Sequence, residues 1–412
     1  MTVLLTRKAV LQAALETTFN VAQSVGDNDG FLISNPTFSI QPSVLERNFV
    51  RNDLSPMPVI IGRKLAKMEF ETELRGNGLA NTGLIGNAPL ITRLFQACGY
   101  TASASATSVA IGPYDSGTNP VEVSWASSAA SATNTDVIEY ILTCTTGGAS
   151  GTAHITVTSD TAGEGSASAA VTSGTPINLG TKGLTVTPTW AGNLTLGMTW
   201  TVWLMPSGIQ LTPISDNFQS ITCVMHKDGV KHVMPGSFGT FVITAKAGNF
   251  ATIKWTFTGS WTAPVDDANP TPIFERTLPS QVQFARLNIG NFQATVEQMT
   301  FNQGNDVQIR PDVNSQDGYN GTRIVSRKPE GGINPEADLV ANYDFWGTFA
   351  AATEVPFQMR VGKDAGNTVW CVFPNTQYSG LTYADRNGIL VYDAGLRFAR
   401  SNGNDEAFFY FC

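Results

Sequence analysis

Charge is what this sequence has least of. Lys and Arg number 25 and Asp and Glu 33 among 412 residues, so 14% of the chain is charged and the formal net charge is −8. Globular domains ordinarily carry about 25% charged residues, and a surface that grips duplex nucleic acid needs clustered cations, which this balance excludes. Cysteine is also sparse: Cys98, Cys144, Cys223, Cys371 and Cys412 lie far apart and form no C-x-x-C pair. That excludes a zinc ribbon or a dense disulfide framework and fits folding in a reducing compartment. No run of 18 apolar residues occurs, so no membrane-crossing helix is expected. The opening MTVLLTRKAVLQAALETTF has no apolar stretch leading to a small-residue cleavage site and reads without a secretory leader. The N-x-[ST] matches at Asn193 and Asn320 therefore carry little weight.

What the chain does have is enough apolar residues, 42%, to build a core, set in Ser, Thr, Asn and Gly. Few charges on a folded chain point to a surface covered by copies of itself. Residues 6–25 read as a short helix or an extended arm, with Val10, Leu11, Ala14 and Leu15 on one face. An extended stretch follows over 31–51, and then a Pro-rich loop, NDLSPMPVIIGRK. In AKMEFETELRG the residues Met68, Phe70, Thr72 and Leu74 alternate with Glu69, Glu71 and Glu73, the pattern of a strand with one wet face. Three carboxylates in line repel one another, so a use other than stability is expected of them. Pro89 opens a helix of about ten residues, PLITRLFQACG, that Gly99 ends.

From 101 to 205 the composition shifts to Ser, Thr, Ala and Gly with almost no Lys or Arg, and short β-type runs alternate with turns. This reads as a separate, inserted β-sandwich. After Pro206, SITCVMHKDGVKHVMPG predicts a hairpin on Asp228-Gly229. SFGTFVITAKAG, NFATIKWTFTGSW, PSQVQFARLNIG and NFQATVEQMTFNQ are further expected strands. Asn334-Pro335-Glu336 reads as cap, first position and first-turn acid of a helix, EADLVANYDFWGTFAAA. The chain closes with strands and the aromatic end AFFYFC.

Two blocks share an order of strand, loop, strand, helix and hairpins. Segments 31–76 and 89–98 correspond to 291–328 and the helix expected near 335. In the hairpins Lys227-Asp228-Gly229 faces Lys363-Asp364-Ala365-Gly366, and Pro235 faces Pro374. The domain organisation expected is a first domain over 1–100 and 206–262, the module 101–205 inserted in it, and a second domain over 263–412.

Little enzymatic chemistry is visible. His226 and His232 flank the Asp228-Gly229 turn without a third metal ligand at useful spacing. Alternate glutamates on one strand face lack the unequal environments of a glycosidase pair. GEGSAS, near Gly165, lacks the third glycine and the strand–helix context of a dinucleotide fingerprint. Trp255, Trp261 and Trp346 fall in strand or helix patterns and read as core or interface rather than as a sugar platform. No catalytic residue, cofactor or metal is expected.

RKAVLQAALETTF, DGVKHVMPGSFGTFVITAKAGNFATIKWTFTG and QIRPDVNSQDGYNGTRIVSRKPEGGINPEADLVANYDFWG resemble the major tail tube proteins of long-tailed, non-contractile bacteriophages. The stretch from Asn291 to Trp346, with NIGN just before it, a D-V-N-S loop and SRKP-G-I-P-E in the family's order, carries most of the likeness. The resemblance implies a mainly β, non-enzymatic virion subunit, made in the host cytoplasm, with tube-type sandwich domains, each with a flanking helix, and an immunoglobulin-like insert. It implies rings of six subunits, or three if the chain is duplicated, stacked into a DNA conduit. Its partners are then itself, tail tip, tape measure and tail terminator proteins, with DNA passing transiently and no membrane insertion. Glu69, Glu71, Glu73 and Glu297 become candidates for the lumen lining, because an acidic bore repels phosphates. Asp53, Pro56 and Pro58, with Asp312, Asn314 and Asp317, become candidate ring-to-ring contacts. The competing reading is a β-rich adhesin or carbohydrate-binding protein.

Overall fold

Apolar residues recur at every second position along most of this chain, and strands are the result. The computed structural model describes residues 4–412 except 48, 80–84, 106–108, 116–119, 129–137, 284, 286, 290, 291, 293, 363 and 365. Asn291, Lys363 and Ala365 of the resemblance and repeat noted above lie outside the described residues. The first part of the body contains β1 (Ala9–Leu15), β2 (Ser34–Leu45), β3 (Ile60–Glu73), α1 (Thr92–Gln96), β4 (Tyr100–Ser105), β5 (Gly208–Pro213), β6 (Ile221–Lys227), β7 (Val230–Lys246) and β8 (Thr252–Ser260). The second contains β9 (Val296–Asn302), β10 (Asn305–Pro311), β11 (Tyr319–Arg327), β12 (Glu330–Pro335), α2 (Phe345–Ala350), β13 (Val355–Val361), β14 (Val369–Arg386), β15 (Ile389–Ala399) and β16 (Phe408–Phe411).

Eight of these strands form one antiparallel layer in the order β2-β3-β8-β7-β9-β12-β15-β14. Its two halves, β2-β3-β8-β7 and β9-β12-β15-β14, pair their strands in the same chain order. They meet at β7–β9, where Ile243 faces Phe301 and Thr244 faces Thr300. β7 and β14 are long because each serves two layers. The first half of β7 pairs with β6 and its second half with β8, and β14 divides likewise between β13 and β15. The crossover carries the same irregularity in both halves. Ile221 faces Ser237 while Cys223 faces Met234; Val355 faces Thr376 while Phe357 faces Phe373. Pro235 and Pro374 sit within these shifts, where a missing N–H costs the ladder nothing.

The second layer is β1 on β6, and β13-β14-β16-β5-β4. Phe95 of α1 stands between the layers with no exposed surface. Its ring lies 4.8 Å from Phe241, 5.0 Å from Trp255 and 5.2 Å from Phe409. α1 is shorter than its periodicity suggests, but its boundaries have the expected chemistry: Thr92 N–H donates to the Pro89 carbonyl, and Gly99 follows at φ +87°. Glu16, buried just after β1, accepts from Ser220 Oγ, Thr222 Oγ1 and the Asn20 and Gly236 amides at 2.6–2.9 Å. It ties the N-terminal segment to the bend of β7.

Of the two readings of the N-terminal segment, short helix or extended arm, the structure takes the second: residues 9–15 are a strand, because all seven pair with β6 and Leu11 and Ala13 are buried by it. Two expectations are corrected. Asn334 does not cap a helix: it lies in β12, and its side-chain oxygen accepts from the amides of Glu297 and Gln298 at the register shift between β9 and β12. The helix begins ten residues later, where Asp344 accepts from Gly347 N–H at 2.7 Å. PSQVQFARLNIG contributes only Asn288–Ile289 to a strand among the described residues.

Of the inserted segment, residues 101–105 belong to β4 of the body, while 109–205 form a five-strand and a three-strand sheet that pair with no body strand among the described residues, around a core that includes Tyr140, Leu142, Trp190, Trp200 and Val202. It joins the body through a small buried cluster in which Trp203 and Met205 meet Trp370, Val372, Tyr410 and Cys412. Among the described residues no helix is long and apolar enough to cross a membrane.

Candidate functional site

The outward face of the eight-strand layer brings the predicted carboxylates together with residues that sequence reasoning passed over. Met68, Phe70 and Leu74 point into the core, which turns Glu69, Glu71 and Glu73 outward. Direct strand partners then define rows across the layer. One row runs Glu71, Lys254, Val242, Asn302, Glu330, Arg397 and Gln377. The next runs Glu73, Thr252, Thr244, Thr300, Gly332, Gly395 and Gly380. Glu69 lines up with Thr256 and Thr240. The alternation in TIKWTFT and TFVITAK is the signal that could have found the threonines and Lys254, since every outward residue but Val242 is polar and every inward one apolar.

The three glutamates are not a bare acidic stripe, contrary to the expected mutual repulsion. Lys67 Nζ lies 2.6 Å and Lys254 Nζ 3.9 Å from Glu69. Asn35 Nδ2 donates to Glu71 at 3.0 Å, and Arg75 lies 3.4 Å from Glu73. Glu297, at the start of β9, meets Lys246 at 3.0 Å and Asn334 at 3.3 Å. The hydrogen bond from Lys67 holds the Glu69 carboxyl below the usual carboxylate range, and burial only partly opposes it. Lys246 does the same for Glu297. A lowered pKa means that these groups favour folding above the carboxylate range and lose that contribution as pH falls through the lowered value. Such half-exposed pairs contribute little, so Glu69→Gln is expected to change the unfolding free energy by less than about 1 kcal/mol in a urea titration. A larger loss would mean that the cluster holds the layer together.

The two candidate loop regions lie at one end of the body. The hairpin tip containing Asp53, Pro56 and Pro58 is exposed, with Asp53 accepting from Ser55 N–H and paired to Arg51 at 3.3 Å. Asp312 accepts from Asn314 N–H at 2.9 Å in the turn that precedes Asp317. Tyr319 OH donates to the Lys64 carbonyl, and a pocket of about 390 Å³ between the two regions is lined by residues that include Ile61, Lys64, Trp261 and Asp317.

The histidines do not converge. His226 faces Lys231 and His232 faces Met225, so their side chains leave opposite faces of the hairpin. His226 lies 3.4 Å from Asp267, and His232 stacks on Phe38 at 4.3 Å. Glu164 of GEGSAS accepts from Tyr140 OH and the Thr181 amide, a clasp within the inserted segment. Trp255 is fully buried and donates to Thr72 Oγ1 at 2.8 Å, while Trp346 on α2 packs against Tyr383. The chain matches no protein-family model and no curated protein sequence.

Proposed function

We propose that this chain is the wall subunit of a phage-type tail tube, assembling into stacked rings whose bore conducts DNA. One observation carries the reading. The eight-strand layer contains a seam between two equally ordered halves and ends on two strands, β2 and the second half of β14, each with a single strand partner among the described residues. An unpaired edge is an aggregation hazard unless it is filled, and closing copies edge to edge fills every one. A heterologous contact of that kind makes rings when the rotation closes. The equal order of the halves supports a duplicated subunit, so that three copies make a wall of six similar blocks.

The polar face then lines the bore. Hydroxyls and amides share it with charged residues of both signs, and Lys67, Lys246 and Lys254 are each held by a carboxylate of the same chain. Affinity for DNA comes from cations that replace counterions on phosphates, and paired lysines offer few. The segment 101–205, read as an immunoglobulin-like module, attaches through Trp370 and Tyr410 of the other layer and so decorates the outside. Negative-stain electron microscopy of the purified protein, seeded with a tail-tip complex, is expected to show rings with a central hole and threefold averages of near-sixfold outline. A seeded sample that stays monomeric and binds glycans would replace this reading with the adhesin.

A further inference from the structure

The seam inside the chain is a template for the seam between chains. Strand registers align the two halves residue by residue: Ser237 with Thr376 and Met234 with Phe373 at the crossover, then Phe257 with Leu396, Met68 with Gly331 and Phe38 with Phe301 across the layer. The long hairpins agree as well. β2–β3 shifts register so that Val44 faces Ile61, and β10–β11 shifts so that Val307 faces Ile324.

In the second half the hairpin is docked. Asn305 Nδ2 donates to the carbonyls of Cys98 and Gly239, and Thr322 Oγ1 donates to the Gly236 carbonyl. Ile324 is 5% exposed, against the turn at Gly99 that follows α1. In the first half the equivalent residues stay half exposed: Val44 is 49% and Ile61 48% exposed. At the other end of the layer Tyr383, the equivalent of core residue Ile243, is 58% exposed. Two apolar surfaces thus stay half open, Tyr383 covered on one side by Trp346 and Tyr392, at the two places where the internal seam buries Ile324 and Ile243.

Resting on the tube reading above, we propose that β2 and the β2–β3 hairpin of one copy dock on β14 and β15 of the next, as β9 and β10–β11 dock on β7 and β8 within the chain. The register carries over: Thr382 faces Ser39, Tyr383 faces Phe38 and Ala384 faces Thr37 of the second copy. Ile61 then covers the turn at Ala352 (φ +50°) after α2, as Ile324 covers the turn after α1. On this account the 51–63 region works between neighbours in one ring, with only its tip left for the ring above.

The test is a full-length double variant, Thr37→Cys with Ala384→Cys, assembled and then oxidised. Both positions lie on the polar face, and the five native cysteines are buried. Directly opposed antiparallel residues have Cα atoms within disulfide reach, whereas a partner two residues away does not. The expected result is a covalent ring on a non-reducing gel, with about ten-fold less cross-linking when Ser39→Cys replaces Thr37→Cys. Ile61→Asp is expected to weaken assembly while leaving the lone chain folded. Rings that form but link only through Ser39→Cys, or that tolerate Ile61→Asp, overturn the register and leave the tube reading standing. Absence of rings in the unmodified protein overturns both.

Discussion

Phe95→Ala is expected to remove about 3–5 kcal/mol of folding free energy, the usual cost of emptying a buried aromatic site. Few single substitutions in the body should cost more. Phe95 has no exposed surface and touches rings from both layers, Phe241 and Trp255 of one and Tyr100, Phe409 and Phe411 of the other. A short helix cannot collapse into the space, because its backbone is held by the Pro89 carbonyl at one end and by the strand β4 at the other. Net stabilities of about 5–15 kcal/mol leave little after such a loss. Urea unfolding followed through the buried tryptophans should show a midpoint far below that of the parent, with Phe95→Leu losing less than half as much. A shift of under about 1 kcal/mol for alanine would mean that the layers repack without this residue, and that the helix is incidental to their spacing.

The second large effect is electrostatic. Changing Glu69, Glu71 and Glu73 together to lysine moves the formal net charge from −8 to −2 and leaves Lys67, Lys254 and Arg75 without their carboxylates. The face would then offer as many as five free cations in adjacent rows, Arg75 staying bonded to the Thr277 and Glu275 carbonyls. Each phosphate neutralised adds close to one unit to the slope of log affinity against log salt, so binding to a short DNA duplex should rise by about 100-fold or more at low salt and vanish at high salt. Fluorescence anisotropy across a salt series measures both quantities. On the tube reading proposed above, the same change slows genome exit from virions while rings still form. Unchanged anisotropy together with full infectivity would show that this face does not meet DNA.

How much of this was legible in the sequence depended on whether the cause was local. The outward glutamates, the Asp228-Gly229 turn with Asp228 at φ +47° and the stop at Gly99 each follow from a few consecutive residues, and each has the expected form. The N-terminal segment shows the opposite case. Its apolar spacing leaves helix and extended arm both open, and the strand is decided by seven partners on β6, which lie more than 200 residues away. Asn334 carries a helix-cap signature, yet its side chain serves the register shift in β9, which no pattern within the segment announces. The lysines that temper the glutamates come partly from β8 and β7, so charge on the face was visible only after strand order was known. The likeness of the two halves was faint in residue identities and is clear in strand order and in the position of matching irregularities, because pairing constrains geometry more tightly than it constrains side chains.

The ends of the inserted segment have a consequence for how such a chain can change. β4 and β5 lie side by side with Ser105 opposite Gly208, so the backbone leaves the body and returns within one strand spacing, about 5 Å. A gap that narrow can be spanned by almost any folded unit with neighbouring termini, or by a short turn, without shifting the strands that flank it. The site is therefore a natural port for exchange: the inserted unit can be traded for another while the strands of the body keep their places. Trp370 and Tyr410 set a condition, since whatever is grafted there must shield them from water as Trp203 and Met205 do now, and buried Gln358, which donates to Glu139 at 3.3 Å, sets another.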